Sequence, residues 1–240
     1  MKFIKFSIIL LFAFISTSSF SQSADDIINK HIAAIGGKEK INQIKTIQIE
    51  SVMNVMGNEA PMTTTVVNGK GFKNELDFGG TKIVQVYTDK GGWSINPMMG
   101  ISDAQAMPED QYKVGKDEIY VGGPLIDYAA KGHKVELKGT EKINNVEAYK
   151  IVLTTKDNET STYYFDPSTY YILKLVRTIN MAGQEGETSS VFSDYRKTDY
   201  GYVVPYSVET TVPQVTMTTT VKKVEVNKDL DPKIFDMPKQ

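Results

Sequence analysis

The chain has 240 residues, a formal net charge of −2, 40% hydrophobic residues and no cysteine. Without cysteine there can be no disulfide, no thiolate metal site, no cysteine nucleophile and no lipid on a lipobox cysteine. The near-neutral charge argues against nucleic acid or an anionic membrane surface as partner. Two arginines, Arg177 and Arg196, stand against 25 lysines, which leaves few candidates for bidentate recognition of phosphate or carboxylate.

The first 21 residues read as a secretory leader. Lys2 and Lys5 supply the positive end, Ile8 to Ile15 is an unbroken apolar run, and Ser16 to Ser21 offers small residues for cleavage after Ser21. That apolar run is far short of the ~20 residues a spanning helix needs, so no integral membrane protein is expected. Residues 22–240 are expected to form one exported domain, stabilised by its core alone.

Asp25 to Ile35 predicts a helix. Asp25 or Asp26 caps it, Ile28, Ile32 and Ile35 share one face, and Gly36-Gly37 ends it. A further helical turn is predicted for Lys38 to Ile44. Strands begin near Thr46. Ile47, Ile49, Met53 and Val55 fall on one side of the first, with Gln48, Glu50 and Asn54 on the other. Met62 to Asn68 follows. In the next strand Phe72, Leu76 and Phe78 alternate with Lys73, Glu75 and Asp77, and Thr81 to Thr88 and Trp93 to Asn96 continue across glycine-rich turns. Such turns predict sequential hairpins in an antiparallel meander.

Alternation then lapses. Pro97 to Glu118 reads as loop with one or two short helices, the second starting near Pro108, and Pro124 to Lys131 as another short helix. Strands resume at His133 to Leu137, Ala148 to Thr155, Thr160 to Phe165 and Tyr171 to Ile179. They continue at Thr188 to Tyr195, Tyr202 to Val212 and Val215 to Val226, with turns at Asp166-Pro167-Ser168 and Met181 to Gly186. The expected fold is mainly β: roughly ten or eleven strands in a single curved antiparallel sheet, an unclosed barrel whose concave face is covered by helices.

Little in the chain is fit for chemistry, and no enzyme, metal or cofactor is expected. His31 and His133 are the only histidines. Neither has a second ligand at metal spacing, and both read as surface residues. There is no G-x-S-x-G elbow, no phosphate loop and no G-x-G-x-x-G fingerprint. Of the acidic pairs Asp25-Asp26, Glu109-Asp110 and Asp117-Glu118, two stand near predicted helix starts, where acids stabilise exposed amides. The segment Trp93 to Ile101 is more informative. Trp93 and Ile95 with Met98 and Met99 are either ordinary core or the adaptable lining of a cavity for irregular apolar ligands. The candidate lining on the second reading is Ile49, Met53, Phe72, Leu76, Phe78, Trp93, Ile95, Met98 and Met99.

Tyr164-Phe-Asp-Pro-Ser-Thr-Tyr-Tyr-Ile-Leu-Lys174 resembles the D-x-x-T hairpin of periplasmic outer-membrane lipoprotein carriers and sorting proteins (LolA/LolB-like half-barrels). Phe192 to Lys197, followed by Gly201-Tyr-Val-Val-Pro205, is similar to their next strand pair. Val224 to Asn227 with Asp231 to Pro238 is similar to their C-terminal close. The resemblance implies a half-barrel under helices. It also implies a soluble periplasmic carrier, which encloses acyl chains of a lipid or lipoprotein non-covalently and delivers them to the outer membrane, with an envelope protein as possible receptor. Carriers of the best-known type hold the lid with an early-strand arginine. This chain has none before Arg177, and Lys73 or Lys82 substitutes only crudely. Two other readings stay open: an envelope-docking module of the same fold with a filled core, and a hydrolase with a dispersed site.

Overall fold

A computed structural model describes residues 22–181, 184–213 and 215–238. The leader lies outside the described residues, as do 182–183 within the predicted turn at Met181 to Gly186.

Helix α1 (Ala24–Ala34) starts on a capping box. Ser23 Oγ accepts from the Asp26 amide at 3.1 Å, and the Asp26 carboxylate accepts from the Ser23 amide at 3.2 Å. The cap is therefore Ser23, and the predicted cap Asp26 is the reciprocal half. Ile27, Ile28 and Ile32 are buried. Gly36 and Gly37 end the helix at φ 130° and 87°, and the Gly37 amide donates back to Ile32 O at 2.9 Å. A Cβ on Gly36 would meet Gly201 O at 3.0 Å. Glycine here lets the helix end approach the sheet, where Val203 N donates to Ile35 O at 2.9 Å. Helix α2 (Lys38–Asn42) follows.

Thirteen strands form the sheet among the described residues. The first six are β1 (Thr46–Val55), β2 (Asn58–Val67), β3 (Gly71–Phe78), β4 (Thr81–Thr88), β5 (Gly92–Asn96) and β6 (Ile101–Ala106). The other seven are β7 (Lys134–Ile143), β8 (Val146–Thr154), β9 (Thr160–Phe165), β10 (Ile172–Met181), β11 (Gln184–Lys197), β12 (Val203–Val212) and β13 (Val215–Val226). Each hairpin is antiparallel. The two meanders join where β1 pairs with β13, Ile47 opposite Val226 and Val55 opposite Met217. The sheet stays unclosed, with β6 and β7 as its edges. The connection between those edges holds α3 (Glu109–Gly115), a 3-10 turn (Lys116–Ile119) and irregular turns to Gly132. It crosses the concave face as a cover.

Two expectations need correction. The strand count is thirteen, and β6 lies in the stretch read as loop. Pro124 to Lys131 is a run of turns, because Asp127 in its middle takes a positive φ, which no continuous right-handed helix admits. The D-x-x-T turn is local: the Asp166 carboxylate accepts from the Ser168 and Thr169 amides at 2.7 and 2.9 Å.

The main core joins the buried isoleucines of α1 and α2 to Leu125 and Ile126 of the cover and to Ile151, Leu153, Tyr163 and Phe165 of β8 and β9. Each buried isoleucine contributes on the order of 1.5–3 kcal/mol. A second cluster lies on the opposite face of the sheet. There Val84, Val86, Trp93 and Ala104 receive Phe235 from the C-terminal 3-10 turn (Pro232–Phe235). Trp93 Nε1 donates to Phe235 O at 2.8 Å. Phe235 lies over Gly71, where a Cβ would stand 2.7 Å from the ring.

Gly71→Ala is expected to displace Phe235 and destabilise the protein by about 1–3 kcal/mol. Urea unfolding followed by fluorescence of Trp93, the only tryptophan, reads this directly. An unchanged midpoint would show that the C-terminal turn contributes nothing to the fold.

Candidate ligand cavity

Beyond α1, the concave face is not filled. A cavity of about 360 Å³ remains between the sheet and the cover, inside the ~300–1,000 Å³ range of small-ligand sites. Its wall is built by register. Ile47, Ile49 and Ser51 of β1 stand opposite Val66, Thr64 and Met62 of β2. Phe72 of β3 extends the wall one way. Val221 and Thr219 of β13, Val208 and Val204 of β12, and Phe192 and Tyr195 of β11 extend it the other. Helix α1 contributes His31 and its C-cap Ile35, and the cover contributes Glu118, Tyr120, Val121, Gly122 and Gly123.

The nine proposed lining residues separate into four places. Ile49 and Phe72 lie on the cavity wall. Met53, Leu76 and Phe78 continue the same face by alternation, since Met53 faces Thr219 and Leu76 faces Met62, but they lie beyond the wall. Trp93 and Ile95 pair with Val86 and Val84 and point to the opposite face, into the Phe235 cluster. Met98 and Met99 occupy a 3-10 turn at the sheet rim, 59% and 61% exposed, so they line nothing.

The histidines are corrected too. Both are buried, each 4% exposed. His31 shares the inward stripe of α1 with Ile28, Ile32 and Ile35. Its Nδ1 meets Tyr170 O at 2.8 Å, and its ring stands edge-on to Phe165 at 5.3 Å. Burial pushes its pKa down to about 4, opposed only in part by the Tyr170 carbonyl. His133, at the start of β7, accepts from the Lys156 amide at 3.2 Å and places Nε2 3.2 Å from Asp117 of the cover. Burial lowers its pKa as well, against the pull of Asp117.

Polar contacts hold the cover. Arg177 of β10 pairs with Glu118 at 2.7 Å, both side chains about one-third exposed or less. Gly69 N donates to Ile119 O at 2.8 Å, and Asn68 Oδ1 accepts from Val121 N at 3.1 Å. Lys131 donates to Gly123 O at 3.1 Å and sits over the Tyr120 ring. Lys38 pairs with Asp127. Lys73, considered as a latch, instead pairs with Glu75 on its own strand. Lys82 lies opposite Asp77 at the far hairpin.

The architecture is a one-sheet half-barrel with a covered apolar cavity. No family model and no curated protein matches the sequence. Solved structures do match in shape. A LolA superfamily protein from Nitrosomonas europaea superposes with TM-score 0.56 at 12% identity, over 90% of this chain and 98% of its own. A domain from Vibrio parahaemolyticus described as an outer membrane lipoprotein-sorting protein gives 0.57 at 13%, over 88% and 95%. A DUF1329 family protein from Desulfovibrio piger gives 0.59 at 13%, over 90% and 98%. The chain has the LolA-like fold.

His31 fixes a pH dependence. An unfolded histidine titrates near 6.5 and the folded one near 4. Above 6.5 both states are neutral. Below it only the unfolded chain takes up the proton, so stability falls as pH falls, by roughly 3 kcal/mol at pH 4 from this group. In His31→Gln the loss between pH 7 and 4.5, measured by urea unfolding, is expected to be smaller by roughly 2–3 kcal/mol. Equal losses in the two proteins would contradict a charge-averse site.

Proposed function

We propose that the chain is exported, cleaved near Ser21, and serves as a non-enzymatic carrier. It holds the acyl chains of a lipid or lipoprotein non-covalently and ferries them through the periplasm towards the outer membrane. The observation that carries this reading is the cavity: about 360 Å³ of mostly aliphatic and aromatic lining under a cover that the same chain supplies. Each buried CH₂ contributes about 0.8 kcal/mol, so eight contribute about 6 kcal/mol before the cost of association. No covalent step, metal or cofactor belongs to the proposal.

Loading and release require the cover to move. The Arg177–Glu118 and Lys38–Asp127 pairs that tie it down are partly exposed, and such pairs are worth little in water. A receptor or a competing lipid surface needs only modest differential affinity to favour the open form. The fold shared with the Nitrosomonas and Vibrio proteins supports a lipid or lipoprotein as cargo. Among the described residues no helix is long and apolar enough to cross a membrane, which is consistent with a carrier that moves between membranes.

Ile49→Glu places a carboxylate in the cavity wall and is expected to weaken uptake of a fluorescent apolar probe at least tenfold. Met98→Glu with Met99→Glu is expected to leave uptake unchanged. Dye titration of both folded variants checks this, and equal uptake by Ile49→Glu and the wild type would place the ligand elsewhere.

A further inference from the structure

The cavity is not uniformly apolar, and its polar atoms are not equally free. Ser51 Oγ donates to Met62 O at 3.3 Å, and Tyr195 donates to Ile172 O at 2.7 Å. Thr64 Oγ1 donates to Asn74 Oδ1 at 3.3 Å, and Glu118 is held by Arg177. The Tyr202 hydroxyl is engaged by the Gly122 backbone. These lining groups are committed to the protein.

His31 is different. It is 4% exposed and lines the cavity. Tyr170 O is an acceptor, so the contact at Nδ1 requires the proton there, Nδ1–H donating to the carbonyl. In the neutral ring Nε2 is then an acceptor with a free lone pair. Among the described residues it has no hydrogen-bond partner. The depressed pKa agrees with a ring kept neutral at physiological pH. Leaving such an acceptor unpaired beneath a bound apolar chain costs about 1–3 kcal/mol.

We propose that His31 Nε2 is a recognition point on the cavity floor, selecting an apolar ligand that carries an uncharged hydroxyl or amide N–H. The inference rests on the carrier reading and sharpens its ligand class. A plain hydrocarbon leaves Nε2 unsatisfied. An ionised carboxylate has no proton to donate, and an ammonium group would be buried without a counter-ion. A hydroxylated or amide-linked acyl chain satisfies both the wall and the floor.

The test compares 1-dodecanol with its methyl ether, which has the same chain and no donor. Binding to the purified protein is measured by displacement of a fluorescent apolar dye. The wild type is expected to bind the alcohol about fivefold more tightly, the worth of one hydrogen bond. His31→Phe is expected to bind both probes equally. Equal binding by the wild type would overturn the inference and leave the carrier reading intact. Binding of neither probe would sink the carrier reading and the inference with it. If His31→Phe fails to fold, the ¹⁵N resonance of Nε2 in the wild type decides. It should move with dodecanol and not with the ether, and an unmoved resonance would overturn the assignment.

Discussion

A curved sheet of thirteen strands presents more apolar concave surface than two short helices can cover. The rest of the structure follows from that mismatch. Isoleucines 27, 28 and 32 of α1 and Ile41 of α2 pack against Ile151, Leu153, Tyr163 and Phe165, and satisfy the sheet on the β8–β9 side. Across β1, β2, β11, β12 and β13 the helices and cover leave the wall unfilled among the described residues, and the cavity remains. The cavity is open on one side, so the concave face keeps an apolar hollow that the chain itself does not fill.

The same mismatch accounts for the cover. The chain must pass from edge strand β6 to edge strand β7, and it does so across the opening. Its later half is anchored in the core by Val121, Leu125 and Ile126. Its earlier half, the 3-10 turn at Lys116–Ile119, buries Ile119 and adds the Arg177–Glu118 pair and the Gly69–Ile119 backbone hydrogen bond. Both halves of the cover thus combine buried apolar side chains with polar ties to the sheet and to α2. Arginine thus ties sheet to cover here, but from a late strand and through a carboxylate.

Much of this was legible in the sequence. Glycine-rich turns marked several of the hairpins between β2 and β5, the D-x-x-T turn marked β9–β10, and the Ile28–Ile32–Ile35 stripe marked the first helix. The cap itself was misplaced, at Asp25 or Asp26: Ser23 is the cap and Asp26 its reciprocal partner three residues on. Other features were hidden for physical reasons. Strand β6, Ile-Ser-Asp-Ala-Gln-Ala, is an edge strand with only Ala104 buried and needs no strong alternation. Trp93 is as apolar as Phe72, but local pattern does not say which face of the sheet a strand's odd positions take after several turns. The wall residues from β11 to β13 were missed because the β1–β13 pairing joins the two ends of the domain. His31 could have been found: it falls three residues after Ile28 and four before Ile35, on the buried stripe. Histidine's usual exposure outweighed that signal.

The central claim is that the cavity exists to be filled by an acyl chain. Mass spectrometry of organic extracts tests it most directly, using the protein purified from its native envelope fraction beside Ile49→Glu prepared in the same way. The account predicts close to one molar equivalent of an acyl-chain molecule with the wild type and a marked loss with the variant. Extracts free of lipid, or the same lipid content in both proteins, would contradict it.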